Sequence, residues 1–356
     1  MKKISRAFMQ ICIICLSTGL ITTNIAANNF SLGTGGKGGT YFPVGQAIAK
    51  ATSGSQAPNQ CDSNYIGNCG VKNLDVTALV TNASAQNISE VNAGTMQFGI
   101  SDAATLYFAF NGLKKFKGNK LQNLRVVANL FPEDLHLVLR KDIELNGLDD
   151  LAGKKVGIAQ AGSGTQHAVL TMLSAFNVTR DNIEEFETSQ TESADLLSKG
   201  KLDAYFYAAG TPVSTLVKLG EEQRIKLYSF TEEEVKKVNK AVPYYIPSTI
   251  KSGTYPNINY DTNTLAVSAI LVTHDNQPST IMYDFVKSLW NDYAQYIYAN
   301  SHPKTQDITL DSALNGLDSI GVPLHSGAEK FYKRMCQFTV PRSPEKYKRY
   351  PIECSI

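Results

Sequence analysis

A short apolar run, a glycine-rich turn and a helix start occur twice in this chain, once in each half. Phe30-Ser31-Leu32 leads through Gly33–Thr40 into a helical pattern at Val44, Ile48 and Ala49. Val156–Ala159 leads through Gly162-Ser163-Gly164-Thr165 into one at Val169 and Leu173. A helix start leaves backbone N–H groups without intrahelical partners and carries the positive end of the helix dipole. Glycine lets a ligand come close to that backbone. Two such ends facing each other across a cleft form a site for an anion, a carboxylate above all.

The rest of the pattern fits a two-lobed clamp. Val76–Val80, Met96–Ile100, Leu124–Leu130, Leu135–Leu139 and Ala204–Tyr207 read as strands. Asn87–Ala93 and Ala194–Ser198 read as helices, and Ile281–Tyr298 as one long helix. Strands alternating with helices predict parallel α/β layers. Leu135–Arg140 and Ala266–Thr273 are the candidate crossovers between lobes. At 356 residues, 43% hydrophobic and 19% charged, the chain suits about two lobes and is not a disordered polymer.

The first residues read as an address. Lys2, Lys3 and Arg6 precede an uncharged stretch, Ala7–Ile21, and then Ile25-Ala26-Ala27. That order is a secretory signal cleaved near Ala27, and the stretch is shorter than the roughly 20 residues of a bilayer span. The expected location is therefore the periplasm. Removing those three cations leaves 31 basic residues against 32 acidic ones. Nucleic-acid binding loses its electrostatic basis.

Cys12 and Cys15 leave with the signal; Cys61, Cys69, Cys336 and Cys354 remain for an oxidising compartment. Cys61 and Cys69 sit among Asn, Asp, Ser and Gly, as in a surface loop closed by a local bridge. Cys336 and Cys354 would then tie down the tail. Three pairings are possible, and sequence does not choose among them.

Most catalytic signatures fail. Gly33-Thr34-Gly35-Gly36-Lys37-Gly38 fits G-x-G-x-x-G, but no Asp or Glu follows before Asp62. Ser163 lacks the flanking glycines of a nucleophile elbow, having Ala161 and Thr165 there. His136, His167, His274, His302 and His325 are not spaced as a metal pair, and no cofactor or metal site is read. Glu133-Asp134 is a carboxylate pair, but strand neighbours face opposite sides. Glu232-Glu233-Glu234 reads as a solvated helix start paired with Lys236-Lys237.

Several segments together resemble the solute-binding subunits of TRAP transporters of the TAXI type, a family that includes immunogenic proteins of the bacterial envelope. The segments are Leu32–Gly36 with Gly39–Gly45, Thr81–Asn87, Phe98–Asp102, Asp150–Val156 with Gly162–Gly164, Ser252–Tyr255 and Pro323–Ala328. The likeness spans about Leu32 to Arg334. It departs at Asn82-Ala83, where the family has two glycines, and at Thr211-Pro212, where it has His-Pro.

The resemblance implies a type II periplasmic-binding-protein-like fold with lobes at 28–134 plus 273–356 and at 135–272. It implies a glutamate- or 2-oxoglutarate-like organic anion as ligand, delivered to a TRAP permease. It gives the first-lobe contacts as Gly35, Gly36, Thr40, Tyr41, Ser84, Asn87 and Asp102. The second-lobe contacts are Gly162, Ser163, Gly164 and Thr165, with Tyr207–Gly210 along the floor. Asp102 serves either a ligand ammonium or the cap of the helix after it. Ser84 and Asn87 suit a cap or turn as well as a ligand, and Tyr41 suits a core. A receptor without catalysis, acting as a monomer, is the first reading. An envelope enzyme using Ser163 and His167 is a second, and a sensor or adhesin domain a third.

Overall fold

The computed structural model describes residues 28–54, 69–161, 163–242 and 244–339. The expected signal at residues 1–27 lies outside them, as do Cys61, Cys354 and Gly162. Cys69 is disulfide-bonded.

The first stretch runs β1 (Asn28–Gly33), α1 (Tyr41–Thr52), β2 (Ser53–Gly54), β3 (Val71–Lys72), β4 (Leu74–Leu79), α2 (Ser84–Asn92), β5 (Phe98–Asp102) and α3 (Ala103–Asn111). β6 (Leu124–Arg140) follows. The middle stretch is β7 (Lys155–Gly157), α4 (Gly164–Ser174), β8 (Glu184–Phe186), α5 (Gln190–Ser198), β9 (Ala204–Ala209), α6 (Ser214–Glu221), β10 (Ile225–Leu227), α7 (Glu232–Ala241) and β11 (Ile246–Ile250). β12 (Thr262–His274), α8 (Ser279–Leu289), α9 (Asp292–Ala299), α10 (Leu317–Ile320) and α11 (Ser326–Thr339) complete it.

Among the described residues the strands belong to one curled sheet of order β3-β2-β4-β1-β5-β12-β6-β9-β7-β8, with β10 beside β6 and β11 beside β12. The chain thus adopts the expected α/β architecture of two lobes joined by long strands. β1 is parallel to β4 and β5, and β7 is parallel to β8 and β9. β12 and β6 run antiparallel to each other from Ala266↔Asp134 to His274↔Leu124. Beyond that point β6 continues against β9, from Asp134↔Ala209 to Leu139↔Ala204.

β6 corrects one expectation. Its 17 residues form one strand, not two. Pro132-Glu133-Asp134 reads as a break because proline and acids are depleted in strands. The surrounding packing overrides that preference: nearly every residue of β6 is buried, as in a central strand covered on both faces. Ile281–Tyr298 is corrected in the opposite sense. α8 ends at Leu289, and Asn291 caps a new helix by accepting from the Ala294 N–H. No proline or glycine marks that break.

Glu234 is a third correction. It is a buried cap residue, not a solvated one. Its carboxylate accepts from the Thr231 and Leu148 N–H groups and from the Tyr228 hydroxyl.

The apolar residues of α1, α8, α9 and α11 cover one part of the sheet, with Phe98 and Phe285 stacked at 4.1 Å. A second cluster joins α2 and α3 to α4 and α7, and a third lies under α5 and α6. Among the described residues no helix is long and apolar enough to cross a membrane.

Candidate functional site

Among the helices that begin just beyond the carboxyl ends of strands are α1 after β1, α2 after β4, α3 after β5, α4 after β7 and α5 after β8. In α/β sheets ligands bind at these ends. The five starts converge on one cleft of about 240 Å³. Gly39, Thr40 and Tyr41 bring α1; Ala83, Ser84 and Gln86 bring α2; Asp102 brings α3. Ser163 and Thr165 bring α4, and Ser189 and Gln190 bring α5. Phe206, Tyr207, Ala208 and Ala209 of β9 also line it.

Two hydrogen bonds lie along one wall. The Asp102 N–H donates to Ser84 Oγ at 3.0 Å. The Tyr41 hydroxyl donates to Glu133 Oε2 at 2.8 Å. Glu133 is only 4% exposed, yet its carboxyl lines the cleft. Burial and then the neighbouring Asp102 push its pKa well above the usual carboxylate range. Burial also raises the Tyr41 and Tyr207 phenols.

Lys115 is the cation of the cleft. Its ammonium lies 5.3 Å from the centre of the Phe116 ring. Among the described residues it forms no ion pair with an acid, and burial lowers its pKa. Asp102 is already engaged: the Thr105 N–H and hydroxyl donate to its two oxygens, each at 2.7 Å.

Contacts cross the cleft. Thr40 Oγ1 donates to the Gly210 carbonyl at 2.6 Å, and Ser214 Oγ to the Gly38 carbonyl at 3.2 Å. The Phe108 and His167 rings meet edge to face at 4.9 Å.

Of the residues expected from sequence, Gly35, Gly36, Thr40, Tyr41, Ser84, Asp102, Ser163, Thr165 and Tyr207 line the cleft. Asp102 is both a lining residue and the cap of α3. Asn87 does not line it. Its side chain is fully buried, donating to the Thr34 and Ile100 carbonyls and accepting from Thr81. Gly164 packs against α3 instead of lining the cleft.

Sequence reasoning missed Glu133, Lys115, Gln86, Thr188, Ser189 and Gln190. The alternation rule held the signal for Glu133: it faces the cleft while Asp134 turns away to Thr211 and Ser248. Ser189 and Gln190 were hidden by a boundary, because the helix expected from Ala194 begins at Gln190. The Ser163–His167 enzyme reading gains no support. Ser163 Oγ accepts the Gln166 N–H as a cap, and His167 lies against Phe108. Among the described residues no group of three or more His, Cys, Asp or Glu side chains is placed to hold a metal.

A family model described as the NMT1-like family matches residues 32–335. Among solved structures, the chain is similar to the alkanesulfonate-binding protein SsuA from Xanthomonas axonopodis pv. citri bound to MOPS. The two are 12% identical over 88% of this chain and 92% of that one, with a TM-score of 0.44. A second is the ligand-binding component of an ABC-type import system from Staphylococcus aureus with zinc bound, at 15% identity, coverage of 89% and 94%, and a TM-score of 0.46. A third is an ancestral arginine-binding protein bound to arginine, at 14% identity, coverage of 76% and 97%, and a TM-score of 0.44.

Proposed function

The chain belongs to the NMT1-like family, and from that premise we propose that it is an extracytoplasmic solute receptor. It captures a small organic anion between its lobes, 28–134 with 273–356 and 135–272, and delivers it to a membrane permease. The observation that carries this reading is the convergence of five helix starts on a cleft whose lysine, among the described residues, forms no ion pair with an acid. Those starts supply backbone N–H groups and positive dipole ends to an anion.

A cleft of about 240 Å³ lies below the roughly 300–1,000 Å³ of sites for drug-sized ligands. That favours a ligand the size of a dicarboxylate or an amino acid over a nucleotide or an oligosaccharide. Gly35, Gly36, Thr40, Tyr41, Ser84 and Asp102 act from one side; Ser163, Thr165 and Tyr207 act from the other. The mechanism is closure, driven only by the ligand's stronger binding to the closed form. The sequence motifs favour a TRAP-type permease and export by the 1–27 signal to the periplasm; a clamp that must open and dock leaves little surface for a permanent partner, which favours a monomer.

Thermal unfolding of the chain from Asn28, with disulfides intact, tests the reading. The panel is succinate, malate, 2-oxoglutarate, glutamate, glutamine and neutral sugars. A ligand at about 100 times its dissociation constant stabilises by about 2.7 kcal/mol. The expected outcome is a midpoint rise of a few degrees with one carboxylate and none with the sugars. The absence of any shift with a carboxylate, in a sample whose denatured extract holds no co-purified small molecule, overturns it.

A further inference from the structure

One oxygen of Glu133 is already engaged: the Tyr41 hydroxyl donates to Oε2 at 2.8 Å. Oε2 is therefore an acceptor. Oε1 has no protein hydrogen-bond partner among the described residues, and it belongs to a carboxyl that lines the cleft while 96% of its residue is covered. With Oε2 engaged by Tyr41, Oε1 is the oxygen left to carry a carboxyl proton toward a ligand in the cleft.

We propose that Glu133 is held as a neutral acid whose Oε1–H donates to an oxygen of the bound ligand, so that ligand capture is linked to one proton. This rests on the receptor reading and narrows it. The ligand presents a hydroxyl, carbonyl or carboxylate oxygen to Glu133, not an ammonium. Where the free receptor has already lost the proton, binding takes one up from solvent.

The groups facing Glu133 act in both directions, and burial decides the balance. Asp102 at the start of α3 and Asp134 on β6 are acids and favour the neutral form. Tyr41 on α1 donates to it, which works the other way, and Tyr207 on β9 and Tyr245 lie within electrostatic reach as neutral phenols. Lys304 also works the other way, but it is paired with Asp307 at 2.7 Å. Burial outweighs both.

Two measurements on the chain from Asn28 test this. Titration calorimetry with 2-oxoglutarate, succinate and glutamate is run at several pH values, each in buffers of different ionisation heat, on wild type and Glu133→Gln. The glutamine offers the same polarity, an oxygen to Tyr41 and an N–H to the cleft, but cannot titrate. Wild-type affinity is expected to fall by up to about tenfold per pH unit above the release of the proton, with proton uptake on binding. Glu133→Gln keeps the low-pH affinity and takes up no proton. A flat wild-type profile, or affinity that rises with pH, overturns the proposal. Independently, an infrared difference spectrum of the two ligand-free proteins, recorded below the pH at which wild-type affinity begins to fall, should show a protonated-carboxyl carbonyl band. Its absence overturns the proposal even if a probe binds. Its presence with no probe bound leaves the proton in place and counts against the receptor reading for those anions.

Discussion

Gly164, the first residue of α4, abuts Asp102, the cap of α3: a β-carbon on Gly164 would stand 2.5 Å from Asp102 Oδ1. Thr105 Oγ1 would be equally obstructive. Glycine at this position allows the start of α4 to approach the start of α3 closely. Gly164→Ala is therefore expected to oppose closure while leaving each lobe folded. An overpacked contact costs about 1–3 kcal/mol. Confined to the closed form, it lowers ligand affinity by about 5- to 150-fold. Calorimetry with the best carboxylate, beside a urea titration, checks this. Unchanged affinity would show that the contact does not limit closure.

Ala83, which precedes α2, has φ 59° and ψ −150°. That region is nearly reserved for glycine, and an L-residue held there carries about 1–3 kcal/mol of strain. Ala83→Gly is expected to raise stability by about 1 kcal/mol, less than the full strain because glycine's unfolded chain is freer. Urea unfolding with an unchanged slope measures it; a loss of stability would mean that the alanine methyl packs better than its backbone suffers.

Asn87 holds three partners from a fully buried position. Asn87→Ala leaves the Thr34 and Ile100 carbonyls without its amide. A buried polar group stripped of its partner costs about 1–3 kcal/mol. The expected result is a destabilisation of about 2–4 kcal/mol, and any ligand affinity retained by the folded fraction should be near wild type. A stable variant with abolished binding would instead return Asn87 to the ligand's contacts.

His136 is buried, with its ring nitrogens on the Tyr207 carbonyl and the Tyr255 hydroxyl. Burial lowers its pKa below the ordinary 6.5, against the pull of Asp134. His325 is lowered for the same main reason. The unfolded chain therefore takes up protons on these rings before the folded chain does. Their contribution is complete above pH 6.5 and is lost as pH falls through that value toward the folded one. Urea titrations should show stability declining below pH 6.5, and imidazole NMR signals should show both rings titrating late. Rings that titrate at the ordinary value would refute the assignment.

The glycine-rich turns were legible because an anion site on backbone N–H groups has to be written in small residues, and Gly35, Gly36 and Ser163 reached the cleft as read. Tyr41, Ser84 and Tyr207 were legible through family likeness. Asn87 was not, because a buried amide bonding carbonyls and a ligand-facing amide have the same letter in the same turn. Glu133 was visible but set aside: only the cover supplied by α1 and β9 turns a strand acid into a buried one. Lys115 sits in a short turn, Lys114–Phe116, with no periodicity to aim it. The continuity of β6 depended on neighbours on both sides, which local propensity does not encode.

The place of β12 governs the order in which the molecule can be completed. It lies between β5 and β6, joining the half-sheet that ends in β5 to the one that starts at β6, yet it comes last in chain order among the strands of the described residues. A nascent chain that stops short of Thr262 holds two half-sheets with no strand to zip them. Contacts closed over so long a stretch of chain form slowly. The two edges, β5 and β6, stay open until β12 arrives, and until then they are the surfaces on which a partner strand or a holding chaperone would find purchase.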